Sequence, residues 1–72
     1  MTVEALDTPG SSNLLQVAYD DESKTLEVAF TNGEIYVYSH VPKETFDGFK
    51  STGSAGSYFH RHVKNRYAYA RK

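Results

Sequence analysis

The chain has 72 residues, a net charge of −1 and no cysteine. That length holds one small domain with one hydrophobic core, and the absence of thiols excludes disulfide staples and thiolate metal sites. Such a chain buries only roughly 60% of the surface its unfolded form exposes, so there is little room for a deep, water-excluding active site. Its longest apolar runs are a few residues, and the N-terminal Met1-Thr2-Val3-Glu4 lacks a basic signal region, which together predict a cytoplasmic protein that does not enter a membrane.

The net charge conceals an asymmetry. Residues 1–49 hold all nine acidic groups against two lysines, a balance of −7, whereas residues 50–72 hold six basic groups and no acid. The basic set is Lys50, Arg61, Lys64, Arg66, Arg71 and Lys72, with His60 and His62 among them. A segregated basic segment fits an anionic partner, nucleic acid foremost; it also fits a basic C-terminal segment laid against the protein's own acidic sheet.

In chain order, residues 1–10 read as an N-terminal arm, and residues 11–72 as a single domain. Thr8-Pro9-Gly10 and Ser11-Ser12-Asn13 are turn formers without apolar period. Leu14 to Tyr19 reads as a strand with Leu15, Val17 and Tyr19 on one face, followed by the polar turn Asp20 to Lys24. Thr25 to Phe30 alternates cleanly and places Leu26, Val28 and Phe30 on one face. Asn32-Gly33 is a hairpin signal leading into a third strand, Ile35-Tyr36-Val37-Tyr38. After Val41-Pro42 the period changes. Residues 43–50 read as a short helix with Phe46 and Phe49 on one face, and a second helix runs from Ala55 or Gly56 to Asn65, with Ser54 at its cap position. Phe59 and Val63 lie one turn apart and face the sheet, while Arg61 and Lys64 share another face. The expected fold is α+β: a three-stranded antiparallel meander followed by two short helices packed on one sheet face. The tail from Tyr67 to Lys72 is too short to classify, although its two tyrosines read as docked.

Ser11-Ser12-Asn13-Leu14, Tyr19-Asp20, Leu26-Glu27-Val28 with Phe30, Asn32-Gly33, Tyr36-Val37-Tyr38, Val41-Pro42 and Gly56-Ser57-Tyr58-Phe59 together resemble the KTSC domain family. The resemblance runs from about Ser11 to Tyr67. It implies a module of about this size, found at the C-terminus of some lysyl-tRNA synthetases and also as a free-standing small bacterial protein. RNA binding is implied by its company with a tRNA-charging enzyme, and no catalytic residues come with it. His60 stands where the family pattern has asparagine, which retains hydrogen bonding but not the amide.

The orientation of the Tyr36-Val37-Tyr38 element depends on hairpin register. A two-residue type I′ loop at Asn32-Gly33 would set Tyr36 opposite Ala29 and turn both tyrosines away from the Leu26-Val28-Phe30 face, as a stacking platform for unpaired bases. A three-residue loop with Gly33 in the left-handed position would set Tyr36 opposite Val28 and make the tyrosines part of the core. Both registers are open to the sequence. The other motifs are weaker. His60 and His62 are two apart, which no two-histidine metal face on a helix uses, and no zinc spacing is present. Ser57 near His60 or His62 lacks any nucleophile-elbow context, and Ser54-Ala55-Gly56-Ser57 could present amide groups to a phosphate, though as a plain helix start it needs no ligand. No metal, cofactor or catalytic group is expected.

Two functional classes emerge. One is a non-enzymatic RNA-binding module, for tRNA or single strands, with Arg61, Lys64 and Arg66, aided by Lys50 and Arg71, on phosphate and Tyr36, Tyr38 or Tyr58 stacking on bases. The other is a protein-interaction module, regulatory or accessory, whose charge-polarised ends or strand edge meet a protein partner.

Overall fold

The computed structural model describes residues 3–7 and 14–72. The turn formers at 8–13, including Ser11-Ser12-Asn13, lie outside the described residues. Seven elements follow in order: β1 (Val3–Asp7), β2 (Leu14–Asp20), β3 (Thr25–Phe30), β4 (Ile35–Tyr38), α1 (Lys43–Ser51), α2 (Ala55–His62) and β5 (Tyr69–Arg71). The strands form one antiparallel sheet in the order β1-β2-β3-β4-β5. The α+β class and the order of the central strands and helices match the expectation, but the sheet has five strands rather than three. The segment read as an arm contains a strand, and the unclassified tail returns from the helices to pair with β4. Both added strands are short and lie at the sheet's edges, where neighbouring strands rather than an internal alternation provide their pairing.

The two helices lie across one sheet face and close the core over it. Leu14, Val17, Tyr19, Leu26, Val28 and Tyr38 from the sheet meet Val41, Phe46, Phe49, Phe59 and Val63 from the helical side. Tyr19 carries its hydroxyl into this core by donating to the Val41 carbonyl at 2.6 Å, and its ring stacks on Phe46 at 5.3 Å between centroids. Among the described residues no buried side-chain nitrogen or oxygen lacks a partner. Pro42 caps α1 with extended backbone, and Ser54 occupies the cap position of α2 without a side-chain cap bond.

One face assignment in the first predicted strand is corrected. Leu14 pairs with Phe30 and Gln16 with Ala29, so Leu15 is the extra residue of a bulge. The bulge reverses the alternation: Leu14 is buried with Val17 and Tyr19, and Leu15 is 59% exposed on the sheet's other face.

Candidate functional site

The β3-β4 hairpin sets the site. Gly33 N–H donates to the Phe30 carbonyl at 3.0 Å, Phe30 N–H to the Glu34 carbonyl at 2.8 Å, and Gly33 has φ 93°. This is the three-residue loop with a left-handed glycine, and it pairs Val28 with Tyr36 and Leu26 with Tyr38. The two-residue register is thereby overturned: Tyr36 and Tyr38 share the face of Leu26 and Val28 and form no outward platform. The left-handed backbone at Gly33 adds the loop residue that shifts pairing by one and flips every side chain of β4.

The tyrosines nevertheless meet open space, because the helices cover only part of the sheet face. A cleft of about 360 Å³ opens between β4, β5 and the C-terminal end of α2. Phe30, Tyr36, Tyr38 and Phe59 provide its aromatic surface, and Tyr69 joins them from β5. Tyr69 is 58% exposed, while its ring lies parallel to Tyr36 at 5.3 Å and tilted against Tyr38 at 5.4 Å. Tyr38 is only 3% exposed, and loss of water around its phenol pushes its pKa up to about 12. Tyr36 is half-buried; its hydroxyl donates to Glu34 Oε1 at 3.2 Å, and that carboxylate, with burial, raises its pKa above the ordinary phenol value.

Glu34 and Asn32 form one rim from the hairpin, and His60, Lys64 and Asn65 form the other. His60 stands on the last turn of α2 and Lys64 in the curl just beyond it, and both line the cleft. α2 ends at His62, earlier than the predicted Asn65, because the chain curls there: Lys64 N–H donates to the Phe59 carbonyl, and Asn65 adopts a left-handed conformation at φ 65° that asparagine tolerates.

The predicted basic set divides in two. Lys50 pairs with Glu4 of β1 at 2.6 Å, Arg71 with Glu34 at 3.0 Å and Lys72 with Glu27 at 3.2 Å, so these cations lie against the acidic sheet. The hydrogen bond that Lys50 donates to the Glu4 carboxylate holds its pKa above the usual value. Arg61, Lys64 and Arg66 form no ion pair among the described residues and are exposed around the end of α2, with Arg66 Nε donating to the Arg61 carbonyl at 2.9 Å. Lys64 is the member of this trio that lines the cleft. Tyr58 lies elsewhere: its hydroxyl donates to the Thr45 carbonyl at 2.9 Å and its ring packs on Phe49, fastening α2 to α1. Tyr69 was missed as a site residue because its place depends on β5, a three-residue strand defined by pairing alone; the signal available in the sequence was the docked reading of the tail tyrosines. Among the described residues no three potential metal-ligating side chains cluster, and no helix is long and apolar enough to cross a membrane.

Sheet, helix pair and half-open aromatic cleft define a small α+β domain with one exposed basic end. The chain belongs to the KTSC domain family, whose pattern matches residues 10–67. Over 61 residues it is 30% identical to a lysine–tRNA ligase of Trichormus variabilis, covering 85% of this chain and 11% of the ligase. Over 54 residues it is 37% identical to a small protein of Stutzerimonas stutzeri, covering 75% of this chain and 76% of that one. The fold is similar to the crystal structure of a KTSC domain protein from Yersinia pestis, with a TM-score of 0.87, 26% identity and 99% of both chains covered. The domain therefore occurs both as a part of lysyl-tRNA synthetases and as a stand-alone protein, and this chain spans about a tenth of the ligase's length.

Proposed function

We propose that this domain is a non-enzymatic RNA-binding module that takes single-stranded RNA, including unpaired segments of tRNA, across the end of α2. The observation that carries this reading is the division of the basic residues: among the described residues Arg61, Lys64 and Arg66 form no ion pair, and Lys64 lines the aromatic cleft, while Lys50, Arg71 and Lys72 are engaged by carboxylates. Unpaired cations attract phosphate, and exposed aromatic faces stack on splayed bases, which is the combination single-strand binders use. Tyr69 and the cleft-facing part of Tyr36 provide the stacking surface, backed by the buried Tyr38; Tyr58 serves the fold. The kinship with a tRNA ligase supports an RNA partner. The test is fluorescence anisotropy of labelled single-stranded RNA and of tRNA with the intact protein and with the Arg61→Glu, Lys64→Glu, Arg66→Glu variant. The expected result is binding that the triple variant weakens at least about tenfold, the scale of losing several phosphate contacts. Unchanged affinity in that variant overturns the reading and moves the search to a protein partner.

A further inference from the structure

Resting on the RNA reading of the same site, we infer that the cleft selects an unpaired guanine, read by the Glu34 carboxylate. The cleft volume of about 360 Å³ lies at the lower end of the range of small-ligand pockets, roughly 300–1,000 Å³, which suits one nucleotide rather than a folded element. Its walls are aromatic, so any base is stacked there with little discrimination. Discrimination must come from the polar groups at the rim, and the hairpin places an acceptor there.

Glu34 is held in position from two sides. Its Oε1 accepts the Tyr36 hydroxyl at 3.2 Å and its Oε2 accepts Arg71 Nη1 at 3.0 Å, an arrangement that orients the carboxylate. Each oxygen retains a lone pair. A carboxylate with both oxygens available is met best by two adjacent N–H donors, and guanine is the one common RNA base with a ring N–H (N1) beside an exocyclic amine (N2). Adenine and cytosine set their amine next to a ring acceptor, and uracil flanks its single N–H with two carbonyls, so each of these would bring a lone pair against the carboxylate. Asn32 strengthens the same choice. Its Oδ1 is taken by the Glu34 backbone N–H at 3.0 Å, leaving its amide N–H groups to donate to an acceptor such as guanine O6. Lys64, on the opposite rim, is the cation for the adjoining phosphate.

The experiment uses the full chain and four seven-nucleotide RNAs of uridine whose central residue is guanine, adenine, cytosine or uracil, titrated by anisotropy into the wild type, Glu34→Gln and the Arg61/Lys64/Arg66 charge reversal. The wild type is expected to bind the guanine oligomer about tenfold more tightly than the other three, since a good bidentate contact discriminates on that scale. Glu34→Gln keeps the side chain's shape but replaces one acceptor by a donor and loosens the hold on Arg71, and is expected to erase the preference, so that the four oligomers bind alike whatever the released cation adds to all of them. The charge reversal is expected to weaken all four oligomers alike. Thermal unfolding of Glu34→Gln confirms that its fold persists without the full Arg71 pairing. Equal affinity for the four oligomers, or a guanine preference that survives Glu34→Gln, overturns the guanine site while leaving the RNA module standing; absence of binding to all four removes both.

Discussion

Gly48 sits in the middle of α1, where alanine would ordinarily improve a helix by about 1 kcal/mol. The reverse is expected here, because a Cβ at Gly48 would overlap the hydroxyl and ring of Tyr58, whose own position is set by the Thr45 carbonyl and Phe49. Gly48→Ala should therefore destabilise the protein by about 1–3 kcal/mol, the usual cost of overpacking, as read from urea unfolding. Tyr58→Ala should make the second substitution nearly neutral when the two are combined, and an additive double variant would refute the clash. Tyr38 carries a second prediction at this scale. Its folded pKa of about 12 stands above the unfolded value of 10.0, so between these the unfolded chain has released a proton that the folded chain still holds. Stability is then fully present below about pH 10 and falls as pH rises toward 12, the sign set by the unfolded state binding fewer protons in that window. Burial raises Tyr19 and Tyr58 in the same direction, so Tyr38→Phe should flatten the alkaline loss of stability without removing it. Chemical denaturation at stepped pH, followed together with tyrosinate absorbance, measures both.

At the scale of elements, β5 is the piece that completes the cleft. Tyr69 is more than half exposed, so truncating it removes little buried apolar surface, yet it takes away the ring stacked parallel to Tyr36. Tyr69→Ala is expected to change folding stability by less than about 1 kcal/mol and to cost roughly 1–3 kcal/mol in affinity for single-stranded RNA, the worth of one base stack. A stability loss matching the affinity loss would mark Tyr69 as a packing residue instead. β5 also shows where the sequence stops being informative. The central strands were legible because Thr25 to Phe30 alternates, and both helices because Phe46 with Phe49 and Phe59 with Val63 repeat at helical spacing. Leu15 was misplaced because a bulge adds a residue without a compositional trace, and the Tyr36-Val37-Tyr38 register stayed open because Asn32-Gly33 serves either loop. The strand at Val3–Asp7 and the strand at Tyr69–Arg71 exist through pairing with β2 and β4, a non-local contribution that local pattern does not carry. Lys64 and Tyr38 could be singled out individually from the sequence; their meeting at one cleft requires the sheet to be closed by β5.

At the scale of the whole molecule, the charge asymmetry of the sequence is largely an internal matter. The acidic strands hold Lys50, Arg71 and Lys72, and these exposed pairs are worth little individually. What they do is engage three of the six basic groups in the last third of the chain, so that among the described residues the three around the end of α2 are left out of ion pairs and, on the proposed reading, meet phosphate. That number has a measurable consequence. Each phosphate neutralised on a single strand lowers the logarithm of the binding constant by about 0.7 per unit of log salt, so three contacts give a slope of about −2. Six contacts would double it. Anisotropy titrations from low to moderate salt should thus give the smaller slope, and replacing Arg61 alone should reduce it by roughly one contact's worth. Replacing Arg71 should leave the slope unchanged, since its guanidinium is spent on Glu34. A slope near the six-contact value, or one that Arg71→Ala diminishes, would mean that the ion pairs across the sheet open on binding and that the basic segment acts as a single surface.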